Sequence, residues 1–210
     1  NLLVGFFVGL SSGATVIISQ FYGGGREKRV SEAVHTAIAF SLACGVGLMV
    51  IGIAASPIAL RAMGTPEDIM QYSLSYIRIY FLGIIPNLVY NMGAGILRAI
   101  GDSKRPLYYL MASCFTNIVL DLVLVVWLRL DVRGAAIATI VSQLVSAVLV
   151  VLQLLRTKDS YKLVIRKIRL NLFMVMRIVR IGLPAGLQSV MYSASNIIIQ
   201  SSVNSLGTDT

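Results

Sequence analysis

The sequence predicts an all-α integral membrane protein, a polytopic bundle of spanning helices. Three observations carry that prediction. Hydrophobic residues make up 57% of the 210 residues and charged residues 13%, against about 45–50% and 25% in ordinary globular chains. The mean hydropathy is +0.82, more apolar surface than a soluble fold of this length can hide. The apolar residues also fall into six runs near the length of about 20 residues that a spanning helix needs. A secreted disulfide scaffold, a disordered tail and a cytosolic enzyme are excluded on these grounds.

The first run, about 1–22, carries Gly5, Gly9 and Gly13 on one helical face. That spacing predicts close helix packing. It is not a phosphate loop, since no strand precedes it and no Lys follows. Gly23-Gly24-Gly25 ends it, and the second run covers about 34–60 before a break at Gly64-Thr65-Pro66. His35, at the start of that run, reads as an ordinary packed residue. The third run, about 72–96, has a Tyr72, Tyr76, Tyr80 stripe, readable as an interfacial belt or as a cavity wall. Asn87 and Asn91 follow at i, i+4, beside a kink expected at Pro86. Gly101-Asp102 and Pro106 turn the chain into the fourth run, about 107–128, and the fifth follows at about 134–155. The sixth, about 175–206, contains Pro184 between Gly182 and Gly186, which either hinges the helix or is tolerated there. Cys44 and Cys114 lie inside apolar runs and read as small packing thiols, not as a disulfide.

Short connections make neighbouring helices antiparallel. The exception is 156–174, which holds Arg156, Lys158, Lys162, Arg166, Lys167 and Arg169. Its Leu163, Val164, Ile168, Leu172 and Phe173 recur at helical spacing. This pattern predicts an amphipathic helix on a membrane surface; the alternative is a solvated basic linker. The net charge of +9 lies between the apolar runs, so it reads as membrane orientation and not as nucleic-acid binding. Arg26, Lys28, Arg29, Arg98, Lys104, Arg105 and the long linker fall on one side, which the positive-inside rule makes cytoplasmic. The first run then starts outside. With no initiator Met and no charged leader, the chain is expected to be an internal fragment preceded by at least one helix.

Of nine acidic residues, only Asp121 sits well inside a run. A charge at mid-membrane costs about 2.5–3.5 kcal/mol on insertion scales, so an intramembrane acid marks function by default. Ser113, Asn117 and Asp121 share a face at i, i+4, i+8, and the next run offers Thr139, Ser142, Gln143 and Ser146. Counted from the outer ends at about 1.5 Å per residue, Asp121 and Thr139 both lie roughly 8–10 Å deep. Carboxylate, amide and hydroxyl oxygens suit a small hard cation such as Na+, and a carboxyl group removed from water can instead carry a proton. The alternative is a polar cluster that only joins helices. Enzyme chemistry fits poorly. A di-aspartyl protease needs two membrane acids, a magnesium-dependent prenyltransferase needs several acids, and the single His excludes an HExxH zinc site.

Several stretches taken together resemble one family. They are Ser19-Gln20-Phe21-Tyr22-Gly23, Leu97-Arg98-Ala99-Ile100-Gly101-Asp102 with Arg105-Pro106, and Asn117-Ile118-Val119-Leu120-Asp121. Gly134-Ala135-Ala136-Ile137-Ala138-Thr139 with Ser142-Gln143, and Ile181-Gly182-Leu183-Pro184-Ala185-Gly186, complete the set. The chain is similar to the multidrug and toxic compound extrusion (MATE) family of cation-coupled antiporters, which have twelve helices in two lobes. The resemblance implies that 1–155 supplies helices two to six of the N-lobe. Residues 156–174 are then the basic amphipathic inter-lobe linker, cytoplasmic, and 175–210 the first, truncated helix of the C-lobe. It also implies a cation or proton site at Asp121, Asn117 and Thr139, with a further Asp expected on the missing first helix. Asn87, Asn91, Tyr80, Gln143 and Gln188 become candidates for the substrate cavity, and Pro86 and Pro184 for hinges.

The expected activity is Na+- or H+-driven export of organic compounds across the inner membrane by a monomer. It needs no cofactor beyond the coupling ion, and its partners are small organic substrates and membrane lipids. The competing reading is a lipid-linked sugar flippase or polysaccharide exporter of related architecture. Such cavities are typically Arg-rich, and here no run carries Arg or Lys in its interior, away from its ends, except Arg78 near the outer third of the third run.

Overall fold

The computed structural model describes residues 2–62 and 67–205. The elements are α1 (Leu2–Gly23), α2 (Glu27–Ala62), α3 (Glu67–Leu82), α4 (Ile84–Ala99) and α5 (Lys104–Asp121), then a π-helical turn (Leu122–Trp127), α6 (Asp131–Arg156), a 3-10 turn (Ile165–Lys167) and α7 (Leu172–Ser205). Among the described residues, six helical stretches are long and apolar enough to cross a membrane, and they coincide with the six predicted runs. The expected break at Gly64-Thr65-Pro66 and the last residues of the sixth run lie outside the described residues.

Turn chemistry sets the helix ends. Gly25 has φ +65° and Gly101 φ +89°, the left-handed conformation that glycine adopts without strain. After α1, the Arg26 N–H donates to the Phe21 carbonyl at 2.9 Å and the Gly25 N–H to Tyr22 at 3.1 Å. After α4, Asp102 donates to Leu97 and Gly101 to Arg98, both at 3.0 Å. Both ends are Schellman caps. The kink expected at Pro86 opens one turn earlier. Proline has no N–H, so the ladder lapses at Leu82 and resumes when the Asn87 N–H bonds the Gly83 carbonyl at 3.2 Å. The third span is therefore two helices, α3 and α4.

Consecutive spans run antiparallel, and non-consecutive ones such as α1 and α4 also pack together. Their shared core lies toward the basic end, where α1 contributes Ile17 and Ile18, α2 Val30 and Val34, and α4 Ile96 and Leu97. α6 adds Val150 and Leu154, and α7 adds Met174 and Ile178. The glycine face of α1 meets α7. A Cβ on Gly9 would collide with the backbone of Gly186, and one on Gly13 would lie 2.8 Å from the Cα of Gly182. Gly5 faces Ser189. The glycines flanking Pro184 are thus used for close approach, and α7 continues as helix through the proline.

The amphipathic helix predicted across 156–174 does not form. Thr157 turns extended (ψ 152°), and the Leu163 N–H donates back to the Leu154 carbonyl at 2.8 Å. Tyr161 and Leu163 are buried at 4% and 2% exposure. Residues two apart share a face on an extended chain but point apart on a helix. Burying both, with 159–162 closed as a turn by the Lys162 N–H on the Asp159 carbonyl at 3.0 Å, is therefore incompatible with the helical pattern of the same apolar residues. Only Ile165–Lys167 makes a helical turn. The segment is basic and partly embedded, which also sets aside a fully solvated linker.

Candidate cation site

Asp121 is the last residue of α5, and the π-helical turn starts at the next residue. The Leu128 N–H bonds the Val123 carbonyl at 2.9 Å, five residues back. Such turns widen the helix locally and are frequent at functional sites. α5 is held to α6 by the buried hydroxyl of Ser113, which donates to the Ser142 carbonyl at 2.6 Å. Because the helices are antiparallel, this bond brings Asn117 and Thr139 to similar levels. Asp121 lies four residues, roughly 6 Å, further along α5 than Asn117. The wider π-turn lies between Asp121 and the end of the span, and a count from the helix ends does not register it.

Each side chain has a distinct status. The Thr139 hydroxyl donates to the Ala135 carbonyl at 2.9 Å, leaving its oxygen lone pairs free to accept a cation. Asn117 is half-buried. Oδ1 of Asp121 is shielded from solvent and has no hydrogen-bond partner among the described residues. A buried polar atom without a partner is rare and costly, and it calls for an explanation such as an ion, a water or a proton. Among the described residues no group of three or more His, Cys, Asp or Glu side chains is placed to hold a metal ion. The donors at this site are hard oxygens, as Na+ prefers.

A cavity of about 50 Å³ lies beside Thr139, lined by Tyr76, Tyr80, Ala136, Ile140 and Gln143. It has room for a water or a small ion. Gly83, at the α3–α4 break, lets this wall close: a Cβ there would sit 3.0 Å from Oε1 of Gln143. Two of the predicted cavity residues, Tyr80 and Gln143, therefore meet Thr139. Asn87 and Asn91 do not line this cavity. The Asn91 amide donates to the Asn87 carbonyl at 2.9 Å and to its Oδ1 at 3.0 Å. Gln188 is exposed on α7, outside the cavity. The π-turn has no sequence signal, since 122–127 is uniformly apolar with no breaker. Tyr76 is visible in the sequence only as the middle of the tyrosine stripe.

The Ser113–Ser142 bond gives a direct prediction. Ser113→Ala should lower the unfolding midpoint in detergent by the equivalent of about 0.6–1.7 kcal/mol, the range for interhelical bonds in membranes. Ser12→Ala, which loses an exposed bond within one helix, should change little.

The sequence profile of the MatE family matches residues 1–123 of the 210. The chain belongs to the MATE family. A probable multidrug resistance protein of Bacillus subtilis, YoeA, is 33% identical over 99% of this MATE chain and 46% of its own length. The multidrug export protein MepA of Staphylococcus aureus (strain MRSA252) is 23% identical over 89% of this chain and 42% of its own. Among solved structures, the crystal structure of a MATE protein in the straight conformation superposes with TM-score 0.87 at 25% identity, covering 99% of this chain and 46% of that one. An inward-facing multidrug resistance MATE transporter of the MOP superfamily superposes with TM-score 0.82 at 26% identity, covering 90% and 43%. The chain spans about half the length of the curated relatives it matches. With its six apolar helices, this MATE chain is a multi-pass membrane protein.

Proposed function

We propose that this MATE chain is the ion-coupling half of an antiporter that exports organic drugs and toxic compounds across the cell membrane. Inward flow of Na+ or H+ drives it, and the transporter works as a monomer. The reading rests on one observation, the shielded and unpartnered Oδ1 of Asp121. Thr139 and Asn117 on the packed α5–α6 pair supply further oxygens. The relatives named for multidrug resistance and export support the substrate class. An ion or proton at Asp121 stabilises one arrangement of the α5–α6 pair over another. That differential binding is what shifts a two-state transporter between its outward and inward forms.

The full-length transporter in proteoliposomes tests this. Efflux of an organic-cation dye is expected to follow an imposed Na+ or H+ gradient and to stop when both gradients are collapsed. Dye movement indifferent to both gradients would refute coupling.

Orientation is testable separately. The Lys and Arg asymmetry places residues 26, 104 and 162 in the cytoplasm and residues 68 and 131 outside. Cysteines at the first three positions should resist an impermeant maleimide in intact cells, and the other two should react. Labelling at 162 from outside would invert the topology.

A further inference from the structure

We infer that His35 is the positioning residue of the long basic connection. It pins 157–164 to the helix bundle and so confines the hinge ahead of α7 to 165–170. The imidazole is 3% exposed and bridges two elements far apart in sequence. The Val164 N–H donates to its Nε2 at 2.9 Å. An Nε2 that accepts must carry a lone pair, so the ring proton is on Nδ1, which donates to the Ser31 carbonyl at 2.6 Å. Both ring nitrogens are thereby satisfied, and the ring is held in one orientation by α2 itself.

The attachment continues on either side of that bond. Leu163 is tied to Leu154 at 2.8 Å, and Tyr161 and Leu163 enter the common core. Thr157 and Asp159 bond each other through Oγ1 and Oδ2 at 3.2 Å. Past Val164 the character changes. Ile165 is 67% exposed, and Arg166, Lys167 and Arg169 are exposed. Within this stretch one 3-10 turn bonds the Lys167 N–H to the Val164 carbonyl at 2.8 Å and the Ile168 N–H to Ile165 at 3.2 Å, and Ile168 alone rests half-buried against the core. The backbone is next capped at Asn171, whose Oδ1 accepts from the Phe173 N–H at 3.1 Å at the start of α7. Met174 and Ile178 then re-enter the core. Any displacement of α7 relative to α1–α6 must be absorbed by the backbone between these two anchors.

Hydrogen exchange on the full-length protein, read by mass spectrometry, tests the assignment without reference to transport. In the wild type, amides 163–164 should exchange at least about tenfold more slowly than 166–170, a ratio equivalent to about 1.4 kcal/mol. His35→Leu fills the space without an acceptor. It should raise exchange at 163–164 by about tenfold while leaving α6 peptides unchanged. His35→Gln carries an amide oxygen near the position of Nε2 and should restore protection. His35→Asn, whose oxygen lies one bond too short, should not. If His35→Leu also loosens α6, the Gln and Asn variants alone decide. Unchanged exchange at 163–164 in His35→Leu would overturn the proposal. So would equal exchange in the Gln and Asn variants, or wild-type protection that continues evenly across 165–170.

Discussion

Asp121→Asn in the full-length transporter is expected to bring ion-driven efflux down to near the leak rate, with expression and helix content almost unchanged. The substitution keeps the size of the side chain and removes only the titratable charge. The oxygen it alters is one that the folded chain shields and leaves unpaired, so little packing or bonding is lost. What disappears is the differential affinity of two states for the ion. Coupling free energies of 1–3 kcal/mol correspond to about 5–150-fold in affinity, and the fall in gradient-dependent rate should lie in that range or beyond. Thr139→Ala and Asn117→Ala should weaken ion dependence less completely, because each removes one neutral oxygen. The assay is dye efflux from proteoliposomes under imposed Na+ or H+ gradients, with circular dichroism on the same preparation. Wild-type rates in Asp121→Asn, or loss of folding in place of loss of transport, would leave Asp121 as a structural group.

Gly9→Leu is expected to have the largest effect on stability. On α1 the Cβ of any residue at this position meets the backbone of Gly186 on α7. Backbone cannot rotate aside as a side chain tip does, so the two helices must separate along their whole seam. Overpacking of this kind costs about 1–3 kcal/mol, occasionally more, and loss of the α1–α7 dispersion contacts adds to it. Gly182→Leu should behave alike, since its Cβ would sit 2.8 Å from the Cα of Leu10. Gly47 has nothing within 4 Å of its Cβ, and Gly47→Leu should fall within about 0.5 kcal/mol of wild type. Thermal unfolding in detergent separates these cases. A Gly9→Leu protein as stable as Gly47→Leu would mean that α1 and α7 do not touch at these residues.

The six spans, the glycine seam and the two caps are legible in the sequence because each depends on a local rule. Twenty apolar residues, a glycine every four residues and a glycine after a helix have the same meaning wherever they occur. Asp121 is legible for a related reason, since an acid inside an apolar run has no cheap explanation. The connection at 157–164 reads as a helix from sequence because Leu163, Val164 and Ile168 fit a helical period. The decisive partners, Leu154 and His35, lie outside that window. His35 itself reads as unremarkable packing for the same reason: its Nε2 partner is 129 positions away in sequence. The π-turn after Asp121 is illegible, because a run such as Leu122-Val123-Leu124-Val125-Val126-Trp127 is equally compatible with an ordinary helix. The level of Asp121 relative to Thr139 is set by one tertiary bond, Ser113 to Ser142, which no count of residues from the ends anticipates.

Infrared difference spectroscopy on the purified full-length transporter tests most directly whether Asp121 takes the coupling ion. The protein is switched between Na+-containing and Na+-free buffer, and separately between two pH values, with Asp121→Asn as the reference. A carboxyl band that appears, vanishes or shifts on one of these switches, and that is missing from Asp121→Asn, is the predicted result. Identical difference spectra from wild type and Asp121→Asn under both switches would contradict the account.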